Sequence, residues 1–260
     1  MKCIFPTVFA SCILILIAAC LPIATQSSPP IQLDTLLPAT ITPTGTTIWF
    51  PPTPTNTPLP SATIPITPTI DTRPKYGESI ITDNFTQPEH WIIGDFNDGS
   101  IALGKNEITL AVKRENGYLF SIRQDIILDN YYAEITASPS ICRGEDEYGL
   151  LIRVSPSLDF LRFSFTCNGQ TRVDRIIQGQ ASSPQPPNYC GAVPPGAPSS
   201  VRMGILAKDK EILFYADGKF LFNVGDPNLL RGNIGVFARS STAEPVTVNF
   251  SELKVYEISP

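Results

Sequence analysis

The chain has 260 residues, of which 26 are Pro, 17% are charged and only one, His90, is His; its net charge is −5. The acidic balance leaves no basic stripe to displace counterions from phosphate and argues against nucleic acid as a partner. A lone His argues equally against His-ligated zinc centres and Ser-His-Asp triads.

From the N-terminus, Lys2 precedes an apolar run over 4–17 that ends in Ala18, Ala19 and Cys20. This is the three-part layout of a secretory leader, and the run is shorter than the roughly 20 residues a bilayer span needs. The string Ile17-Ala18-Ala19-Cys20 resembles the bacterial lipobox, in which small residues precede a Cys that takes a diacylglyceryl thioether before cleavage. The resemblance implies a leader at 1–20, lipidation at Cys20 and a membrane-anchored lipoprotein at the cell surface. Two acyl chains, at about 0.8 kcal/mol per buried CH₂, anchor stably where one does not. The alternative is an uncleaved apolar anchor with Cys20 incidental.

Residues 21–75 hold 13 Pro and 14 Thr with four charges, whereas 76–260 hold 12 Pro in more than three times the length. Pro fixes φ and restrains its predecessor, so this segment reads as a disordered, extended linker at about 3.1 Å per residue. Pro/Thr tracts of this kind also accept O-glycans. The remaining 76–260 is long enough to bury a core of its own.

Within 76–260 no stretch sustains a helical period, while short alternating or apolar runs recur between turn signals. The pattern predicts strands at 80–85, 91–95, 101–103, 107–112, 118–123, 131–138, 148–154, 160–166, 170–177, 200–208, 211–215, 219–224, 233–238 and 246–257. So many short strands imply two packed antiparallel sheets. The acidic string Glu145-Asp146-Glu147 reads as a solvated loop, and Asp95-Phe96-Asn97-Asp98-Gly99-Ser100 as a turn shaped by Asx side chains rather than a calcium loop.

Two hairpins can be registered by parity. At Cys167-Asn168-Gly169 the alternation pairs Phe163 with Val173 and Phe165 with Thr171. At Ala216-Asp217-Gly218 a three-residue loop is expected, which sets Ile212 and Phe214 against Phe220 and Phe222. If 148–154 and 160–166 form a hairpin, Cys167 reaches the sheet end that holds Cys142, which predicts a Cys142–Cys167 disulfide outside the cytoplasm. Cys190, in an expected loop over 179–199 that starts at the opposite end, is left free or competes.

Glu147-Tyr148-Gly149-Leu150-Leu151-Ile152-Arg153, then Phe160-Leu161-Arg162-Phe163-Ser164-Phe165 and Asn168-Gly169-Gln170, resemble the central strands of concanavalin A-like jelly-roll modules. The run 246–255 is similar to their last strand, which pairs back with the first. The resemblance implies an all-β, two-sheet antiparallel jelly-roll sandwich over 76–260. That fold hosts lectins, laminin G-like modules, glycoside hydrolases and adhesins alike. Glucanases of this fold carry Glu-x-Asp-x-x-Glu or a close variant on one strand. This chain lacks it.

Parity also gives a candidate ligand surface. If Tyr148, Leu150 and Ile152 face inward with Leu161, Phe163 and Phe165, then Arg153, Arg162, Ser164, Arg172 and Asp174 share the opposite face. Tyr132, Glu134 and Thr136, on a strand expected beside it, extend a polar stripe with an aromatic edge. One reading is a groove for polysaccharide or cell-envelope glycan, with Tyr132 on a sugar ring; the other is a solvated face of cross-strand ion pairs. The expectation is therefore a surface-anchored, non-catalytic glycan-binding module needing no cofactor or metal. A glycoside-processing enzyme, with Glu134 and Asp174 as the least implausible carboxylate pair, and a purely structural surface domain are the alternatives.

Overall fold

The structure is a computed structural model that describes residues 73–258. Cys20, the expected leader at 1–20 and the expected linker as far as residue 72 lie outside the described residues.

Fifteen strands follow in chain order: β1 (Ser79–Asp83), β2 (Gly94–Phe96), β3 (Gly99–Leu103), β4 (Glu107–Val112), β5 (Tyr118–Ile122), β6 (Tyr131–Ile141), β7 (Glu147–Val154), β8 (Phe160–Thr166), β9 (Gln170–Ile177), β10 (Gln180–Tyr189), β11 (Val201–Lys208), β12 (Glu211–Ala216), β13 (Lys219–Gly225), β14 (Asn233–Arg239) and β15 (Val246–Glu257). One sheet has nine strands in the order β13-β12-β11-β6-β15-β4-β3-β2, with β1 also paired to β15. The other has six, in the order β10-β9-β8-β7-β14-β5, and every pairing is antiparallel. The last strand pairs back with the first, as expected for the jelly roll.

The core forms between the sheets from alternate residues of each strand. Ala133, Ile135 and Ala137 of β6 and Met203 and Ile205 of β11 meet Leu150, Ile152, Leu161 and Phe163 from the six-stranded sheet. Phe163 and Phe214 bridge the layers with ring centroids 4.7 Å apart, a contact worth about 0.5–1.5 kcal/mol beyond area burial. Of the segment expected as a strand at 91–95, only Gly94 and Asp95 pair, as the start of β2. Trp91 instead anchors the preceding turn, its Nε1 donating to buried Asp83 at 2.8 Å.

The β8–β9 register is as parity predicts, with Phe163 opposite Val173 and Phe165 opposite Thr171. The β12–β13 hairpin differs. Ala216 pairs with Lys219, so the loop is the two residues Asp217 and Gly218, both at positive φ (48° and 75°), as a primed turn requires. A bulge then restores Phe214 opposite Phe222, and Phe220, paired with Tyr215, is turned outward and exposed.

The segment expected as a long loop over 179–199 contains β10, an edge strand exposed along its length. Its pairing to β9 shifts register on either side of Gln185. Pro184, Pro186 and Pro187 remove amide donors from this strand, a feature that blunts a free sheet edge. Because Tyr189 lies opposite Gln170, Cys190 is returned to the end of the sheet that holds Cys167. Cys142 and Cys167 are joined, with Cα atoms 5.8 Å apart, and Cys190 is a free, half-buried thiol. The bridge ties the crossing from β6 to β7 onto the β8–β9 turn.

Candidate ligand-binding face

The two sheets divide the predicted stripe. Tyr132, Glu134 and Thr136 belong to β6 in the nine-stranded sheet, whereas Arg162, Ser164, Arg172 and Asp174 belong to β8 and β9 in the six-stranded one. Each set lies on the face of its sheet away from the core, so Glu134 and Asp174 stand on opposite sides of the sandwich. Arg153 joins neither set. It adopts φ 55° where the β7–β14 register shifts, which turns it to the same side as Ile152, and it is fully buried with Nη1 donating to the Leu229 carbonyl at 2.8 Å. Burial pulls its pKa down.

On the nine-stranded sheet, Glu134 is buried and accepts from the Tyr132 hydroxyl (2.6 Å), Arg202 Nε (2.8 Å) and Arg73 Nη1 (3.3 Å). Burial alone would raise its pKa; the hydrogen bonds from Tyr132, Arg202 and Arg73 outweigh that and hold it below the usual range. Tyr132 is itself fully buried, because Tyr76 stacks over it at 5.0 Å and also packs on Tyr256 at 4.1 Å. The incoming chain at residues 73–78 thus lies across this face, pinned further by Gly77 N–H to the Glu257 carbonyl at 2.7 Å. Tyr132 has no open ring face for a sugar in this arrangement.

On the six-stranded sheet the segment before β2 touches the outer face through Ile92, which packs on the aromatic cluster at the β5 edge. Here β9 carries Asp174, fully buried, which accepts from Arg162 Nη2 (2.6 Å), Arg172 Nη2 (2.6 Å) and Ser183 Oγ of β10 (2.5 Å). Burial opposes its ionisation, but the donors from Arg172, Ser183 and Arg162 prevail and depress its pKa. Glu147, the first residue of β7, receives Arg172 Nη1 at 3.3 Å, Arg239 Nη1 at 3.7 Å and Arg162 Nη2 at 3.8 Å. The acidic string is therefore no solvated loop: only Glu145 is exposed. Asp146 is fully buried, its carboxylate accepting from the Arg143 and Ser241 amides at 2.8 Å each.

The layering of this network is ordered by charge. Side-chain exposure rises from 0% for Asp174 and 6% for Glu147 to 13% for Arg162, 23% for Arg172 and 40% for Arg239. Carboxylates lie beneath and guanidinium groups above. Glu147 Oε2 and the Nε atoms of Arg162 and Arg172 are buried without a hydrogen-bond partner among the described residues. Such groups are costly to leave unmet and are retained where a ligand or ordered water completes them.

Aromatic side chains flank the network. The Arg162 guanidinium lies 5.5 Å from the Phe237 ring centroid and 5.8 Å from that of Tyr118, within cation–π range. Tyr118, Phe120 and Phe237 form one cluster with Leu151 and Ile122 on this outer face. Burial pushes the Tyr118 hydroxyl up to about 12, so it remains a neutral donor. Tyr118 and Phe120 also line a cavity of about 410 Å³ with Ile92, Phe96, Asp98 and Arg114 at the open side of β5, a size typical of small-ligand clefts. Asp98 shapes the β2–β3 turn at its rim, accepting the Tyr118 amide at 3.0 Å. The single histidine, His90, lies elsewhere, held through Nδ1 to Arg123 at 3.2 Å.

Sequence parity thus places Arg162, Arg172 and Asp174 together. It omits Glu147, Arg239, Ser183 and the aromatic cluster, although alternation continued from Leu151 through Gly149 reaches Glu147.

The sequence matches no family model and no curated protein. The structure is similar to that of a Bacillus licheniformis β-glucanase (TM-score 0.53, 11% identity, 71% of this chain and all of that one). It is also similar to a Bacillus subtilis protein described as having a galectin-like fold (TM-score 0.52, 13% identity, 70% and 97%) and to the carbohydrate-binding module CBM66 from Bacillus subtilis (TM-score 0.50, 12% identity, 65% and 96%). At these identities the likeness shows the fold. The domain is a concanavalin A-like jelly-roll sandwich.

Proposed function

We propose that the chain is a surface-anchored lipoprotein whose sandwich binds glycan, without catalysis, on the outer face of the six-stranded sheet. Lipid is attached at Cys20, residues 21–72 link it to the domain, and the domain projects from the membrane it is tied to. The observation that carries the binding reading is the guanidinium layer beside the part-exposed rings of Tyr118 and Phe120. Planar donors suited to hydroxyl and carboxylate oxygens lie next to ring faces suited to sugar C–H groups. The fold neighbours add weight, since they include a carbohydrate-binding module and a β-glucanase by name.

Glu147 and Asp174 on one face favour a second reading, hydrolysis of a glycosidic bond, which needs a carboxylic acid that keeps its proton near neutral pH. Asp174 is biased the other way, towards the ionised form, and Glu147 is engaged by three arginines. Binding is thus the better supported of the two.

The test uses the full chain on a glycan array, with Arg239→Ala and Phe120→Ala on the six-stranded face and Arg202→Ala on the other, together with a reducing-sugar assay. Binding that is lost in the first two variants and kept in the third supports the proposal. Sugar release overturns the non-catalytic part, and no binding to any glycan favours a structural domain. For the anchor, mass spectrometry of the mature protein should find diacylated Cys20 as the first residue; a mature chain that starts anywhere else contradicts lipidation.

A further inference from the structure

Resting on that reading of the six-stranded face, we infer that its ligand is an acidic polysaccharide, recognised through carboxylate or phosphate groups. The inference comes from the order in which the charges are stacked. The chain as a whole carries −5, yet at this site three guanidinium groups, of Arg162, Arg172 and Arg239, meet two carboxylates, of Glu147 and Asp174, which leaves one positive charge. More telling than the sum is the depth. Asp174 is fully buried and Glu147 nearly so, while Arg239 is 40% exposed and Arg172 23% exposed. A ligand approaching the sheet meets N–H donors first and is screened from both acids.

A site built for neutral sugars needs acceptors as well as donors, because each hydroxyl both gives and takes a proton. Here the acceptors lie beneath the guanidinium layer: both Asp174 oxygens are engaged by arginines, with Ser183 adding a third donor, and Glu147 Oε2, which has no hydrogen-bond partner among the described residues, is buried. The accessible charged groups are guanidinium donors, so the face is predominantly donor and cationic. That matches an anionic oxygen pair, which a guanidinium fork binds through two parallel hydrogen bonds. Arg239 suits this role best, since its one carboxylate contact is long at 3.7 Å. Its remaining N–H groups can turn to a ligand without stranding a buried acid. The buried carboxylates hold the arginines in place, and the adjacent Tyr118 and Phe120 accept the apolar face of the sugar ring.

The experiment measures binding of the full chain to three polymers: polygalacturonate for carboxylate, a poly(glycerol phosphate) for phosphate and laminarin as a neutral glucan. It is done at about 50 and about 500 mM NaCl, where screening lengths differ severalfold. The expected result is at least tenfold tighter binding to one or both acidic polymers than to laminarin, weakened at least about tenfold by the higher salt. Arg239→Ala should cost about fivefold or more, Arg172→Gln at least as much, and Arg202→Ala on the other sheet nothing. A thermal melt on each variant separates lost contact from lost fold, and Arg239, exposed and weakly paired, is the variant that keeps its fold. Which acidic polymer binds distinguishes carboxylate from phosphate as the natural group. Salt-insensitive binding to laminarin that fails in Phe120→Ala would overturn the acidic assignment and leave the site standing. Acidic-polymer binding indifferent to both Arg239→Ala and Phe120→Ala would overturn the site itself, and silence with all three polymers would overturn the acidic assignment.

Discussion

The two outer faces of the sandwich are made from the same chemistry and arrive at opposite states. Both set buried carboxylates among arginines and tyrosines: Glu134 with Arg202, Arg73 and Tyr132 on one, Asp174 and Glu147 with Arg162, Arg172, Arg239 and Tyr118 on the other. On the nine-stranded sheet the chain that enters the domain closes the arrangement, with Tyr76 stacked on Tyr132 and Arg73 on Glu134. On the six-stranded sheet the top layer is guanidinium, and the flanking aromatics line a cavity. Residue type therefore does not tell an open face from a covered one; what lies over it does.

The comparison is most severely tested through Asp174. Asp174→Ala leaves Arg162 and Arg172 without their principal counter-charge in a largely desolvated layer and should cost roughly 3–5 kcal/mol in a urea titration. A loss under about 1 kcal/mol would mean the network is not the foundation of that face. Next comes the disulfide. Replacing Cys142 and Cys167 together with Ala releases a closed loop of 25-residue separation and should cost about 2–4 kcal/mol. Peptide mapping of a Cys190→Ser chain should still find the same bridge.

On the covered face, Tyr76→Ala should cost about 1 kcal/mol from the lost ring stacking and make Tyr132 accessible, while glycan binding is retained. If Tyr76→Ala abolished binding, the covered face would be the functional one. Both faces predict the same response to acid. Asp174 and Glu134 have pKa values depressed in the folded state. Their contribution to stability is therefore complete above the unfolded carboxylate values near 4 and is lost as pH falls below them. Unfolding free energy followed from pH 6 to pH 2 should drop in that window, and Asp174→Asn should flatten the drop. The smallest effect on stability is expected for Arg239→Ala, within about 0.5 kcal/mol for an exposed side chain, although its effect on binding is among the largest.

Much of this architecture is legible in the sequence because one face of nearly every strand is buried. Alternation in Phe163, Phe165, Leu150 and Ile152 fixes the β7–β8–β9 register, and with it the Cys142–Cys167 bridge. Where burial gives no pattern, the reading fails. β10 has no apolar alternation and three prolines, since as an edge strand it buries neither face. Its omission is what misplaces Cys190. Parity also assumes an unbroken pleat. A residue at φ 55° turns Arg153 into the core, and a bulge after a tight turn sends Phe220 outward. The stripe itself was divided because alternation along a strand does not say which sheet the strand joins: the chain changes sheets between β6 and β7, and Tyr132 and Glu134 part from Arg162 and Asp174 there.

The central claim is that glycan meets the six-stranded face and not the nine-stranded one, and arginine-selective chemical labelling reads both at once. Arg172 and Arg239 report on one face, Arg202 and Arg73 on the other, and all four retain solvent exposure. Labelling the full chain with and without saturating glycan, followed by peptide mass spectrometry, should show protection of Arg239 and Arg172 and none of Arg202 or Arg73. Protection confined to Arg202 and Arg73 would contradict the assignment.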